Sequence, residues 1–450
     1  MKNKSENRSM TEGIIWKQLL FFAIPLFLSS ILQQFYGIID SLFVGNFVGD
    51  LALAAVGSTG SLVNLLVGFF LGLSAGAGVV IANSYGAGDA VRMEKAKHTA
   101  ILVAAICGVA LTLLGWILTP VLLRFMNTPD GVYELAIVYL RLYFLGMIPM
   151  LIYNVGAGIM RSIGNSREPM MILLFCGIFH IFADYLFITL WKMGVAGAAY
   201  ATGISQLLSA VWVMWRLIRS DGPDRLEWQR MKIDMPVLGS IIRVSVPAGF
   251  QSSMYSIANL MIQSYINMFG SVAMAGSAAY FKIDNFVFSP VTAMGLAVTT
   301  FVSQNVGAGR FDRIQRAIRN ALMMAFSFSI FLAVIVILFR YPILGWFTKS
   351  PAVIETGILF IFYLIPFYPI HNLTEVLSGT IRGAGNATTP MVITIFCIGI
   401  FRIVWVLIMT HFWFDLRMVI VSFPISWILC AACFCLYYKK NATLITRKAL

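Results

Sequence analysis

The sequence MRSIGNSREPM at residues 160–170 returns in altered form as IRGAGNATTPM at residues 381–391, 221 positions further along the chain. The same offset relates the Gly-Ala-Gly sequences at residues 86–88 and 307–309. Similarity at one fixed offset indicates that a single structural unit is used twice. The chain is therefore predicted to contain two related halves.

The composition indicates that both halves lie in a membrane. Of the 450 residues, 59% are hydrophobic and 11% are charged, whereas soluble proteins average about 45–50% and about 25%. Long apolar runs without alternation predict transmembrane α-helices rather than the strands of a barrel. We predict twelve helices, at residues 16–44, 51–84, 97–126, 133–161, 169–191, 195–218, 238–268, 272–305, 316–347, 353–381, 390–412 and 417–438. The predicted fold class is thus an all-α polytopic membrane protein.

Arginine and lysine predict how these helices cross the membrane. We assign 24 of the 32 to one side, six to the other and two to the helices themselves. An excess of these residues marks cytoplasmic loops, so both termini are predicted to lie in the cytoplasm, in a protein of the cell membrane. The net charge of +13 follows from the same loops and does not indicate a nucleic-acid partner.

Six helices in each half give the two halves the same orientation, as parallel repeats around a central cavity. The predicted domains are an N-terminal six-helix lobe at residues 1–218, a cytoplasmic linker at 219–237, a C-terminal six-helix lobe at 238–438 and a cytoplasmic tail at 439–450. Parallel repeats are a transporter architecture, in which the substrate binds between the halves near the membrane midplane.

Motifs for other classes of function are missing from the sequence. It contains no G-x-x-x-x-G-K-[ST] loop for nucleotide phosphates and no H-E-x-x-H metal motif. Its six cysteines lie within apolar runs, where buried free thiols are expected, and its four histidines are scattered. We therefore expect neither enzymatic activity nor a bound cofactor or metal, and an ion gradient as the energy source.

The first predicted helix carries a polar stripe that ends in a carboxylate. Ser29, Gln33, Tyr36 and Asp40 recur at helical spacing and share one face. Because a polar face is costly against lipid, this face is predicted to line an interior cavity. The alternative is that Asp40 lies at the extracellular end of the helix. Pro25 can kink the same helix and serve as a hinge.

Two further acids within predicted helices follow a histidine by four residues. Asp184 shares a helix face with His180, and Glu375 shares one with His371. A charge at the bilayer centre costs about 2.5–3.5 kcal/mol, so such residues are functional candidates. Glu375 is either a second proton site or an acid satisfied by its histidine. Trp405 occupies the repeat position equivalent to Asp184, which concentrates the predicted cation chemistry in the first half.

The second half supplies the rest of the predicted substrate cavity. Asn259 and Gln263 share a helix face with Tyr255 and, together with Glu375, Gln33 and Tyr36, are predicted to line it. Asp284 is the fourth acid that we place within a helix. An ion pair with the nearby Lys282 would explain Asp284 without any role in transport.

Several of these segments together resemble the multidrug and toxic compound extrusion (MATE) family. The resemblance rests on Gln34–Gly45, on Asp184–Ile188 and on the twin Arg-x-x-Gly-Asn sequences at 161–165 and 382–386. It covers essentially the whole chain, including the twelve helices in two repeats. It implies a cation-coupled antiporter that exports amphipathic, often cationic, organic compounds. The acid in the first helix resembles the DinF-type branch of the family.

The resemblance also implies a cation-binding cluster on the first, fifth and sixth helices. In this sequence the cluster maps to Asp40, His180, Asp184 and Thr202. The family usually has Asn at the position of His180. Because an imidazole binds a proton near neutral pH and competes with Na⁺ when charged, this departure favours H⁺ as the coupling ion. Binding of Na⁺ at Asp40 and Asp184 stays open.

An alternative function for this architecture is a flippase of a lipid-linked saccharide. A flippase of that kind is expected to hold pyrophosphate with several basic residues, whereas Lys282 and Arg402 are the only bases that we assign to the membrane interior and not to one of its two sides. Export of small organic cations or amphipathic drugs is therefore preferred. We expect the protein to act as a monomer in the lipid bilayer.

Overall fold

The computed structural model describes residues 9–126 and 128–447, and these residues form twelve long helices. We number them α1 to α12. Their bounds are α1 Ile15–Phe47, α2 Asp50–Gly86, α3 Ala90–Phe125, α4 Asp130–Leu145 with Met147–Ser162, α5 Arg167–Leu190, α6 Val195–Ile218, α7 Met235–Asn267, α8 Ser271–Gly307, α9 Phe311–Leu338, α10 Pro351–Gly383, α11 Thr388–Phe412 and α12 Leu416–Arg447.

The predicted all-α membrane fold is confirmed. Within the described part of the chain, ten helices are long and apolar enough to cross a membrane, and α4 is an eleventh when its two segments, bent by 44°, count as one span. The remaining helix, α7, is long enough for a span of about 20 residues, since it has 33, but it carries polar residues such as Arg243 and Gln251.

Most helix limits lie within a few residues of the predicted ones, and the largest difference at an amino terminus is in α3. It begins at Ala90, seven residues before the predicted start at 97. The Asp89 side chain caps it by accepting a hydrogen bond from the Arg92 backbone N–H at 2.9 Å. Hydropathy does not reveal such polar first turns, whereas a capping residue such as Asp89 indicates where the helix begins.

Close contacts divide the chain into two units. Unit 1 contains Leu28–Val246, and unit 2 contains Met10–Phe27 together with the chain from Pro247 onward. The divisions therefore fall inside α1 and α7, near Pro25 and at Pro247. Proline removes a backbone hydrogen bond and kinks a helix, which lets its two parts pack in different units. The predicted division into two lobes, a linker at 219–237 and a tail stays a prediction.

Each unit binds the segment that precedes one of these helices. In unit 1, Nζ of Lys95 lies 2.9 Å from Oδ2 of Asp234, directly before α7. In unit 2, the Arg313 guanidinium donates to the carbonyl oxygens of Gly13 at 3.0 Å and Met10 at 3.3 Å, directly before α1. The segment before the proline-containing helix is thus held by an ion pair in unit 1 and by hydrogen bonds to backbone carbonyls in unit 2.

Helices α5 and α11 each contain one π-helical segment. It spans Tyr185–Leu190 in α5 and Ile395–Phe401 in α11. A π segment inserts an extra residue into a helical turn and is frequent at functional sites. Asp184 directly precedes the first segment, and Arg402 directly follows the second.

Candidate cation site

Four predicted residues from three helices of unit 1 come together around one imidazole ring. Nε2 of His180 in α5 lies 3.2 Å from Oδ1 of Asp40 in α1, and Nδ1 lies 3.6 Å from Oδ2 of Asp184, one turn further along α5. Thr202 of α6 donates its hydroxyl to Oδ2 of Asp40 at 3.4 Å, and its Oγ1 is 3.3 Å from His180 Nε2. We call these residues the cation cluster.

The cation cluster is almost entirely buried. Asp184 is 0% exposed, His180 1% and Asp40 7%. Neither carboxylate oxygen of Asp184 has a hydrogen-bond donor among the described residues, and the same is true of Oδ1 of Asp40. Ligand atoms of the three residues lie within 4.8 Å of one another. The arrangement can therefore hold one small cation or shared protons.

Aromatic packing fixes the ring of His180. The Tyr36 ring stacks on it, with centroids 5.2 Å apart and planes 25° apart. The Tyr36 hydroxyl donates to the backbone oxygen of Leu173. Gly177 makes room for this tyrosine, because a Cβ at that position would lie 2.4 Å from Tyr36 Cε1. Tyr36 thus holds the ring of His180 in place, and its predicted place in the substrate cavity stays a prediction.

Two tyrosines of α4 also interact with the cation cluster, and no sequence argument identified them. Tyr139 interacts electrostatically with Asp40 and Asp184, and Tyr143 with Asp40. Their rings are 5.9 Å apart. The only sequence signal is a pair of hydroxyl-bearing residues four apart in an apolar helix, which occurs commonly without function.

The residues predicted to line the substrate cavity do not share one environment. Gln33 and Asn259 are exposed, and Gln263 donates Nε2 to Oδ1 of Asn267 at 2.9 Å. Glu375 is partly buried, and its Oε2 lies where a Cβ on Gly295 would come within 3.2 Å. Their role in substrate binding stays a prediction, as does the hinge at the buried Pro25.

The acids of unit 2 have environments that the sequence did not indicate. Asp284 accepts hydrogen bonds from the hydroxyls of Tyr280, at 2.7 Å, and Tyr368. The expected partner Lys282 instead lies 5.6 Å from the ring centroid of Phe347. A tyrosine hydroxyl can donate a hydrogen bond to a partly buried carboxylate without adding a second buried charge. The closeness of Lys282 to Asp284 in the sequence did not indicate this arrangement.

His371 also does not satisfy Glu375 in the described part of the chain. Its ring lies between those of Phe288, at 5.1 Å, and Trp427, at 5.0 Å, both stacked on it. Glu375 instead interacts electrostatically with Arg382. His371 and Glu375 are thus four residues apart on one helix, as predicted, but the histidine packs between aromatic rings and does not bind the acid.

Comparison with known proteins agrees with this fold. The MatE family model matches residues 25–186 and 247–408, one stretch in each repeat. The probable multidrug resistance protein YoeA of Bacillus subtilis is 27% identical over 405 residues, 88% of each chain. The probable multidrug resistance protein NorM of Thermotoga maritima is 27% identical over 388 residues, 84% of this chain and 82% of the relative.

Solved structures share the fold over the whole chain. The outward-facing conformation of a multidrug resistance MATE family transporter of the MOP superfamily has a TM-score of 0.92 at 22% identity, covering 99% of this chain and 100% of the other. A MOP superfamily transporter from Pyrococcus furiosus has a TM-score of 0.93 at 22% identity, with the same coverage. The family model covers well over half of the sequence. This chain is therefore a member of the MatE family, a multi-pass membrane transporter and not an enzyme.

Proposed function

We propose that this protein is a secondary active antiporter that exports amphipathic, cationic organic compounds in exchange for protons. Transport proceeds by alternating access, with the protein in the cell membrane and both termini in the cytoplasm. The relatives support drug-like substrates, since YoeA and NorM are described as probable multidrug resistance proteins.

The observation that carries this proposal is the buried pair of carboxylates around His180. Charges within a membrane protein are costly unless they are paired or bind a counter-charge. Asp40 and Asp184 lie on opposite nitrogens of one ring. These three groups therefore favour a bound proton or cation whenever the cluster is closed to water.

The imidazole geometry supports H⁺ as the coupling ion. A neutral histidine has one N–H and one lone pair, so only one nitrogen of His180 can donate to a carboxylate. One additional proton allows favourable contacts on both sides of the ring. That imidazolium also competes with Na⁺ for Asp40 and Asp184, although Na⁺ is the alternative coupling ion for the same oxygens.

The transport cycle follows from charge. When the cluster is open to an acidic exterior, it takes up a proton, its negative charge falls, and a cationic substrate is released. When it is open to the cytoplasm, it loses the proton, and its negative charge attracts the next cation. Proton and substrate therefore bind in competition.

The test is efflux of a fluorescent organic cation, ethidium, from liposomes containing the purified protein. We expect a pH gradient to drive efflux and a sodium gradient alone to have no effect. Asp40→Asn is expected to lose pH-driven efflux, while Lys282→Gln, which removes an exposed charge of unit 2, retains it. Efflux driven by sodium alone would contradict proton coupling, and full activity of Asp40→Asn would contradict the assignment of the site.

A further inference from the structure

Arg402 is a buried guanidinium in the middle of unit 2. It is 1% exposed. Its Nε donates to Oγ of Ser426 at 2.9 Å, and its guanidinium carbon lies 4.5 Å from the ring centroid of Phe423. Its Nη2 is buried and has no hydrogen-bond acceptor among the described residues. One end of a permanent cation is thus left without a partner.

The carboxylates of unit 2 do not neutralise this charge. In the described part of the chain, Arg402 takes part in no ion pair with an acidic side chain. Glu375 interacts electrostatically with Arg382, and Asp284 is bound by tyrosine hydroxyls. A buried guanidinium without a counter-charge is strongly unfavourable, so the environment of Arg402 favours an anion.

A second unpartnered donor lies in the same unit. The hydroxyl of Tyr255 in α7 is buried without a hydrogen-bond partner among the described residues, and the charges of both Glu375 and Arg402 act on this side chain. Two donors from two helices therefore need one acceptor. A water molecule accepts hydrogen bonds but supplies no charge, whereas an anion meets both requirements.

We propose that unit 2 binds a chloride ion at Nη2 of Arg402 and the Tyr255 hydroxyl. Chloride fits because a monatomic anion accepts from several donors without fixed directions. Phe423 lies against the guanidinium, and the stacked rings of His371 and Trp427 belong to the same hydrophobic surroundings, which suit a small anion better than a phosphate group. The proposal does not rest on cation export.

The internal repeat gives the proposed site its place in the fold. Helices α7, α11 and α12 of unit 2 are equivalent to α1, α5 and α6 of unit 1. Tyr255 and Arg402, which would bind the anion, come from α7 and α11, and Ser426, which accepts from Arg402, comes from α12. In unit 1 the equivalent helices carry the cation cluster, with its acids on α1 and α5. One repeat thus binds positive charge and the other binds negative charge.

The test measures thermal unfolding of the purified full-length protein in detergent, followed by tryptophan fluorescence. Sodium chloride is titrated against sodium gluconate at constant sodium concentration. Because a ligand that binds only the folded state raises Tm, we expect a saturable increase with chloride and not with gluconate. Crystals soaked in bromide are expected to show anomalous scattering beside Arg402.

Three variants assign the effect. Arg402→Gln is expected to abolish the chloride-dependent rise in Tm. Tyr255→Phe keeps the guanidinium and is expected to weaken chloride binding about tenfold, the effect of losing one hydrogen bond to a charged group, so it tests the site even if the first variant fails to fold. Lys282→Gln removes the same unit of charge at an exposed position and is expected to respond like the unmodified protein.

The same measurements can overturn the proposal. Equal Tm values in chloride and gluconate would mean that water, and not an anion, satisfies Arg402. A chloride response that persists in Arg402→Gln would place the ion elsewhere. Neither result depends on transport, so failure of this proposal is distinguishable from failure of the proposed antiport.

Discussion

Helices α5 and α11 are equivalent in the two repeats, yet their buried charges have opposite signs. In α5, Asp184 precedes the π-helical segment, and in α11, Arg402 follows it. Trp405 stands at the position equivalent to Asp184, and its indole N–H donates to the Met418 backbone oxygen at 3.2 Å. Both repeats therefore contain the π-helical segment, but the charged residue beside it is an acid in α5 and a base in α11.

The largest expected effect comes from substituting the two equivalent positions. Asp184→Asn removes a proton-binding carboxylate and is expected to lower pH-driven ethidium efflux about 100-fold, the upper range of coupling between two sites. Trp405→Phe removes one hydrogen bond, worth about 1 kcal/mol of stability, and is expected to leave efflux within about twofold. Initial efflux rates from liposomes, normalised to protein content, measure both. Equal rates in the two variants would remove the proposed division of labour.

The second prediction concerns the imidazole ring that lies between the two carboxylates. His180→Asn replaces a ring that binds a proton by an amide that does not, which leaves both carboxylates available to Na⁺. We expect pH-driven efflux to fall about tenfold and a sodium gradient to become effective. Efflux is measured in each gradient separately. If His180→Asn retains the original ion dependence, the ring does not select the coupling ion.

The third prediction compares one glycine in each of the equivalent helices α5 and α11. A Cβ at Gly177 would meet the rigid Tyr36 ring at 2.4 Å, whereas a Cβ at Gly399 would meet the flexible Met254 side chain, with Sδ at 2.5 Å. Gly177→Ala is therefore expected to cost about 1–3 kcal/mol, as in other overpacked interiors, and Gly399→Ala less. Thermal unfolding ranks the two, and efflux assays are expected to show a severalfold loss for Gly177→Ala alone. The reverse order would show that Tyr36 moves easily.

The sequence was sufficient for the helices, because these depend on local pattern. Helical spacing placed His180 and Asp184 on one face, and the family resemblance added Asp40 and Thr202. It did not reveal Tyr139, the stacking of Tyr36 on His180, or the hydrogen bond from Tyr368 to Asp284. These contacts join helices far apart in sequence, and their positions leave no periodic signal. The exchange of helix parts between units was likewise hidden, since hydropathy treats α1 and α7 as continuous.

The smallest effect is expected where each unit anchors the segment before its proline-containing helix. In unit 1 the anchoring contact is the ion pair of Lys95 with Asp234, and the Asp234 carboxylate can take up a proton. A hydrogen bond from Lys95, together with one from the Val237 backbone N–H, lowers the pKa of Asp234. In unit 2, Arg313 binds backbone carbonyls and the side-chain oxygen of Gln18, and these acceptors do not titrate. Acid is therefore expected to loosen the segment before α7 and not the segment before α1.

The sign follows from linkage. Because the pKa of Asp234 is lower in the folded protein, its contribution to stability is complete above the unfolded value of about 3.9 and is lost as pH falls through the folded value. Hydrogen–deuterium exchange of residues 231–237 measures it. Asp234→Asn is expected to raise exchange there modestly at neutral pH and to match the unmodified protein below the folded pKa, while residues 10–13 change in neither case. A difference that persists in acid would mean that the amide disturbs the turn itself, and that the two anchors differ in shape rather than in charge.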